Sequence, residues 1–222
     1  MGTRTFSAAD RLFGEIDRAI NVLCSPAQSA RPLPGAAAGE SPSSEAPNAL
    51  VQGEADRRES GRLMRVNHAG EVSAQALYRG QALTARTGTA AQAMGEAAAE
   101  EVDHLAWCES RIKELHGHTS IFNPLWYAGS FLIGAMAGLA GDVTSLGFIT
   151  ETERQVESHL RGHLERLPAT DRRSRAIIEQ MTRDEARHGA NAAALGGREP
   201  PVWIKGAMRI ASKVMTGASR WA

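Results

Sequence analysis

Apolar residues recur at steps of three and four positions along most of the chain, a spacing that predicts α-helices. Four long stretches follow this period, at roughly 59–86, 89–116, 142–167 and 171–195. The alternation of apolar and polar residues that is typical of half-buried strands does not occur. Short breaks within the first and the last pair of stretches predict two antiparallel hairpins. The sequence therefore predicts an all-α, ferritin-like four-helix bundle with a long crossover between helices two and three.

The predicted crossover is strongly apolar. Residues 121–141 carry no charged side chain before Asp142. Pro124 and several glycines make this run a poor membrane-spanning helix, so insertion into one leaflet or another lipid contact is favoured. The alternative is an apolar segment packed on the bundle. The Gly134-x-x-x-Gly138 spacing would permit close helix packing but is weak evidence for it.

The residues before the bundle differ in composition from the rest. Residues 1–24 predict a short amphipathic helix, and residues 25–57, rich in Pro, Ser, Ala and Gly, predict a flexible linker. The bundle domain is then 58–222. It ends in a basic amphipathic segment, "WIKGAMRIASKVMTGASRW", which together with the crossover predicts a peripheral membrane-docking surface. One side of this segment would carry Ile204, Met208, Ile210 or Ala211 and Met215, with Lys205, Arg209 and Lys213 among them.

Polar side chains interrupt the apolar faces that should form the bundle core. The first and third predicted helices each place one glutamate there, although the position in the first helix is less secure. The second and fourth each place the pattern Glu-x-x-His in the apolar stripe. The inward-facing residues are Glu71, Glu101, His104, Glu153, Glu185 and His188.

Four buried carboxylates need compensating positive charge, because an unpaired buried carboxylate costs several kcal/mol or is neutralised by a proton. Almost no Lys or Arg lies on the same faces, so metal ions are the economical solution. One Glu from each of two helices and Glu-x-x-His from each of the other two is the ligand set of di-iron and di-manganese carboxylate bundles. The sequence thus predicts two iron or manganese ions able to react with dioxygen.

Other polar residues near these positions have two readings each. Glu100 and Asp184 directly precede the glutamates of the two Glu-x-x-His patterns and could accept the outer N–H of a histidine ring, or be solvated acids. His159 and His163 have the spacing of a zinc half-site, but no nearby carboxylate pattern completes it, so we expect surface histidines.

Composition limits the classes of partner and compartment. The 25 basic and 25 acidic side chains cancel, so nothing overall indicates nucleic acid. Cys24 and Cys108 lack CxxC spacing and suit unpaired thiols in a reducing compartment. The first 20 residues scatter charges where the apolar region of a secretory signal would lie. We expect a cytosolic protein, or one bound to a membrane from that side.

Five stretches together resemble a known family. "LMRVNHAGEVSAQALYRGQ", "EEVDHLAWCESRIKEL", "NPLWYAGSFLIGAMAG", "SLGFITETERQVESHL" and "DEARHGANAA" closely resemble the 3-demethoxyubiquinol 3-hydroxylases, di-iron enzymes of ubiquinone biosynthesis. The resemblance spans about 60–222, and the helix and Pro-rich stretch before it are similar to the bacterial branch. It places the iron ligands on the same six residues.

The resemblance implies a monooxygenase that hydroxylates the ring of a polyprenylated demethoxyubiquinol with dioxygen and two irons per chain. It further implies a peripheral protein on the cytoplasmic face of the bacterial plasma membrane. In the crossover Leu125, Trp126, Tyr127 and Phe131 would guide the quinol from the lipid. No GxGxxG pattern follows a strand, so NADH, the reduced quinol and a separate reductase all stay open as electron donors. Assembly with itself or with a ubiquinone-biosynthesis complex also stays open.

Three other functions are compatible with a helical bundle of this kind, and the cysteines exclude the first of them. Rubrerythrin-like proteins would need a CxxC iron site, which the two distant cysteines exclude. A ferritin-like bundle that oxidises and stores iron remains the alternative, although it would not need the apolar crossover. A membrane scaffold with a vestigial metal site would bind no iron.

Overall fold

The computed structural model describes residues 7–35, 51 and 53–222, and within these residues it contains seven α-helices and no strand. The predicted all-α bundle is confirmed, and the four predicted bundle helices correspond to α2, α3, α5 and α6. The largest difference in their bounds is at the start of α2, where the helix continues back to Glu54. The helices are α1 (Ala8–Cys24), α2 (Glu54–Thr84), α3 (Gly88–Glu114), α4 (Asn123–Leu139), α5 (Asp142–Arg166), α6 (Arg172–Ala194) and α7 (Val202–Ser219).

Side-chain caps fix where several helices begin. The Asp171 carboxylate accepts the N–H of Ser174 at 3.0 Å at the start of α6. The Asp142 carboxylate, in the first turn of α5, accepts the backbone N–H groups of Arg86 and Thr87, each at 2.9 Å. These bonds satisfy donors that a helix end would otherwise leave unpaired. The second set also ties the turn between α2 and α3 to the start of the second hairpin.

The crossover helix α4 uses one face to pack on α2. A Cβ atom at Gly134 would overlap the Leu77 carbonyl group, and one at Gly138 would overlap Thr84. The Gly-x-x-x-Gly spacing therefore brings the two backbones into close contact. The opposite face of α4 is exposed and apolar, including Leu132 and Met136. The packed reading of the crossover thus holds for the face against α2, whereas lipid contact of the exposed face stays a prediction. No helix in the described ranges is long and apolar enough to cross a membrane.

The first part of the predicted linker lies against the bundle. The backbone N–H of Ala27 donates to Glu109 at 3.1 Å, and the N–H of Ala30 donates to Asp103 at 2.7 Å, both on α3. Leu33 packs against the core formed by α2, α3, α5 and α6. Residues 25–35 therefore differ from the solvated linker expected from their composition, while residues 36–50 and 52 lie outside the described residues.

Helix α7 presents a different face outward from the one the sequence suggested. Met208 and Met215 point inward and line a cavity, whereas Trp203 and Ile210 are exposed. Lys205 pairs with Glu199 at 2.7 Å and lies 3.8 Å from Glu151, so its charge is directed to the protein. Of the predicted face, Ile210 is exposed, whereas Met208 and Met215 are corrected because they line the cavity. Membrane docking by α7 stays a prediction.

Candidate metal centre

The six sequence-predicted ligands lie together in the bundle core, and each is almost fully buried. Their donor atoms form two groups, within each of which the atoms lie within 4.8 Å of one another. One group contains Glu71 and His104, the other Glu153 and His188, and both contain Glu101 and Glu185. Two shared carboxylates between two groups are an arrangement that could hold two metal ions.

Both histidine rings turn the same nitrogen toward the cluster. Nδ1 of His104 lies 3.1 Å from a Glu101 oxygen and 3.2 Å from a Glu185 oxygen. Nδ1 of His188 lies 3.5 Å from Glu185. Because Nδ1 faces the carboxylates in each ring, it is the nitrogen available to a metal. The Nε2 atoms point away from the cluster.

Each Nε2 meets a carboxylate from the other helix of the α3–α6 pair. Nε2 of His104 lies 3.1 Å from Asp184, and Nε2 of His188 lies 3.1 Å from Glu100. Such an acceptor fixes the tautomer and orientation of a metal-binding ring. Glu100 and Asp184 were singled out in the sequence because of the histidine four residues later on the same helix, and the structure pairs each with the histidine opposite.

Buried carboxylate oxygens in the cluster lack a hydrogen-bond donor. Glu101 Oε1 and Glu153 Oε2 have no hydrogen-bond partner among the described residues. Lone pairs of buried carboxylates are rarely left this way. Iron or manganese ions, which bind carboxylate and imidazole ligands, would satisfy these lone pairs. The residues present therefore fit a pair of such ions.

The pKa values in the cluster reflect crowded negative charge. Burial and the neighbouring charge of Glu185 raise the pKa of both Glu101 and Glu153. Burial also disfavours the charged form of Glu185, but hydrogen bonds from Glu153, His104 and His188 outweigh it and lower its pKa. Tyr78 donates its hydroxyl to Glu153. Without metal, protons must supply the compensating charge.

We expect Glu153→Gln to stabilise the metal-free protein. Because folding raises the pKa of Glu153, its protonated carboxyl group stabilises the folded state. This stabilisation is fully present below the ordinary pKa near 4.5 and is lost as the pH rises through the folded pKa. The amide does not titrate, so the variant should melt about 2–4 °C higher at neutral pH for roughly each kcal/mol recovered. Near pH 4 the melting temperatures should converge.

Melting of the metal-free proteins followed by circular dichroism at several pH values checks this expectation. Glu157→Gln, on the outer side of the same helix, should show no comparable gain. A melting temperature for Glu153→Gln that equals the wild-type value at every pH would contradict the crowding of charge at this site.

An apolar cavity of about 500 Å³ leads from the cluster to the surface. It lies between α2, α4, α5 and α7, with Glu71 at its inner end. Leu125 and Trp126 line it, as the sequence predicted for substrate contacts. Tyr127 and Phe131 do not: they pack in a separate apolar cluster with residues of α2 and α3. Those two are corrected, because α4 turns that face toward the other side of α2.

The expectation of surface positions for His159 and His163 is wrong. His163 is buried and its Nδ1 lies 2.7 Å from the Asn67 side-chain oxygen, with its ring 4.0 Å from that of His159. Burial lowers the pKa of His159 to about 4 and that of His163 to about 2, so both rings are neutral. Neither belongs to the two metal groups, and His159 lines the cavity.

Two residues near the cluster were not predicted from the sequence. Tyr78 lies two turns after Glu71 on α2, and that spacing could have identified it. Arg31 donates to Asp184 at 2.9 Å from within the Pro-rich segment, where no periodicity indicates an inward position. Its contact becomes visible only in the folded chain.

Comparison with known proteins agrees with this geometry. The sequence model of the family described as "Ubiquinone biosynthesis protein COQ7" matches residues 58–219. Three proteins named 3-demethoxyubiquinol 3-hydroxylase illustrate the similarity over almost the whole chain. The protein of Bordetella parapertussis is 54% identical over 96% of this chain and 92% of its own length. For Nitrosospira multiformis the values are 52%, 96% and 98%, and for Ralstonia pickettii 54%, 95% and 98%. The chain therefore belongs to the ubiquinone biosynthesis protein COQ7 family, as its motifs predicted.

Proposed function

We propose that this protein is a 3-demethoxyubiquinol 3-hydroxylase that uses two iron ions and dioxygen to hydroxylate the ring of a polyprenylated quinol. The observation that carries the proposal is the pair of ligand groups that share Glu101 and Glu185, with Glu71 of one group at the inner end of an apolar cavity. The names of the similar proteins support a hydroxylase and give no support to the iron-storage alternative.

The ligand residues have distinct roles in this proposal. Glu71 and His104 would hold one ion and Glu153 and His188 the other, and Glu101 and Glu185, which belong to both groups, would supply carboxylate oxygens to both. Mixed carboxylate and imidazole ligands favour iron or manganese. Bound iron supplies the electrons and open positions that dioxygen activation needs.

The cavity accounts for a substrate with a polar ring and an apolar tail. Its lining runs from buried Glu71 to Leu125 and Val214, which are largely exposed. A quinol ring would occupy the Glu71 end, and the polyprenyl tail would follow the apolar walls outward. Those walls exclude water from the reacting ring and orient it by burying its tail.

The direct test is anaerobic purification with iron analysis, followed by addition of a demethoxyubiquinol, a reductant and ¹⁸O₂. The proposal predicts about two irons per chain and a product carrying one ¹⁸O atom. NADH and excess quinol are tried as separate reductants, because the sequence leaves that choice open. Iron oxidation that stops after a single turnover and loads mineral would indicate storage. Absence of bound iron would indicate a scaffold.

We further propose that the protein docks on the cytoplasmic face of the bacterial plasma membrane. Large apolar side chains are exposed side by side along α4 and along α7. Arg209 and Lys213 are exposed on α7 and could contact anionic headgroups. An exposed apolar surface with adjoining basic residues is typical of peripheral membrane binding.

We expect the double variant Trp203→Ser and Ile210→Ser to bind vesicles much more weakly. Neither side chain lines the cavity, and burying a large apolar side chain contributes about 1.5–3 kcal/mol, so each loss should weaken partitioning roughly 10-fold or more. Flotation with vesicles containing anionic lipid measures the effect. The matched control, Trp203→Phe with Ile210→Leu, should float like the wild type. Equal flotation of all three proteins would contradict the docking surface.

A further inference from the structure

Arg31 connects the N-terminal segment to both helices that carry Glu-x-x-His. Its Nε donates to Asp103 on α3 at 2.5 Å, and its Nη1 donates to Asp184 on α6 at 2.9 Å. The guanidinium lies over the Trp107 ring, 4.6 Å from the ring centroid. Two carboxylates and an aromatic face define the position of this side chain.

Asp184 links Arg31 to the metal cluster. Its side chain is fully buried, and the same Oδ2 atom that accepts from Arg31 lies 3.1 Å from Nε2 of His104. The opposite nitrogen of that ring faces Glu101 and Glu185. A continuous path therefore runs from Arg31 through Asp184 and His104 into the cluster.

The two histidines are supported unequally. The acceptor behind His188 is Glu100, which is 39% exposed and is held by Arg187. The acceptor behind His104 is Asp184, which receives Arg187 on Oδ1 and Arg31 on Oδ2. Two guanidinium groups thus fix the carboxylate behind His104, and one of them comes from outside the bundle.

We infer that Arg31 is a positioning residue for the His104 half of the metal centre, acting through Asp184. This inference rests on the proposed function, because it concerns how firmly the cluster holds metal. A carboxylate held at both oxygens keeps the His104 ring fixed, with Nδ1 directed at the cluster. Removal of such outer partners commonly weakens metal binding about 10- to 100-fold.

Anchoring of the segment can be separated from this role. Ser29 Oγ lies 2.8 Å from Asp103 Oδ1 and 2.7 Å from the Arg31 carbonyl oxygen, and it accepts the Arg31 backbone N–H at 3.2 Å. Ser29→Ala therefore loosens the same segment at the same α3 carboxylate and at the Arg31 backbone, but it keeps the guanidinium that donates to Asp184. It is the matched control for a purely structural effect.

The experiment follows loss of iron from the iron-loaded protein to a colorimetric ferrous chelator. In Arg31→Ala, one of the two irons should leave about 10- to 100-fold faster than in the wild type. Ser29→Ala should release both irons at wild-type rates. Arg31→Lys keeps the charge but cannot span two carboxylates, so it should fall between the two and serves if Arg31→Ala folds poorly.

A double-variant comparison tests the path through Asp184. If Arg31 acts through that carboxylate, adding Arg31→Ala to Asp184→Asn should accelerate iron loss little further. Unchanged release in the Arg31 variants, equal acceleration by Ser29→Ala, or fully additive effects would overturn the inference while leaving the metal centre intact. A wild-type protein that binds no iron would overturn the proposed function itself, and this inference with it.

Discussion

Replacing Glu185 with alanine is expected to remove both metals and reduce turnover by more than about 100-fold, since loss of even an outer partner of a ligand costs about 10- to 100-fold. Glu185 belongs to both ligand groups, so one substitution takes a donor from each ion. Iron analysis of the purified variant, together with product formation, measures the two effects on the same sample.

Glu153→Ala is the informative comparison, because Glu153 belongs to one group only. It should retain about one iron per chain and still lose hydroxylation, since two ions act together in this class of site. Circular dichroism should show wild-type helix content in both variants. Two irons and normal turnover in Glu185→Ala would refute the ligand assignment.

The second large effect concerns the substrate's tail. Replacing Leu125 and Ile133 with serine should lower kcat/KM for long-tailed demethoxyubiquinols by about 100-fold or more, because each side chain contributes about 1.5–3 kcal/mol when an apolar tail buries it. Both residues line the cavity. Short-tailed analogues do not reach this part of the cavity and should be affected less than about 2-fold.

Kinetics across a series of tail lengths, in detergent solution, measure this difference. Leu132→Ser is the matched control: Leu132 lies on the same helix, is 62% exposed and does not line the cavity. Iron content should be unchanged in every variant. An equal loss for all tail lengths would mean that α4 supports the fold rather than the substrate.

The features that could be predicted from the sequence are those set by local periodicity. An acid in a stripe of leucine and isoleucine is conspicuous, as Glu153 is on α5, because burial on one helix face imposes a spacing that is readable in the chain. The structure brings all six predicted residues into one cluster. Their binding of iron stays a prediction.

The features that could not be predicted depend on contacts distant in the chain. Burial lowers the pKa of His163 and keeps its ring neutral, and Asn67, on another helix, satisfies one of its nitrogens. Ser29 and Asp103 meet across 74 positions. Phe131 faces away from the cavity because the glycines of α4 fix how that helix is rotated against α2. No local pattern encodes how one helix is rotated against another.

The close glycine contact between α4 and α2 makes one wall of the cavity more firmly packed than the wall formed by α7. A Cβ atom at Gly134 would meet the Leu77 backbone, and one at Gly138 would meet the Thr84 hydroxyl and the Gln81 carbonyl oxygen, so the two helices have little room to slide. Helix α7 packs more loosely, because within Val202–Ser219 only Ser219, at its end, is buried. The cavity wall formed by α4 is therefore held in place by its packing on α2. Widening of the cavity mouth is therefore easier on the α7 side than on the α4 side.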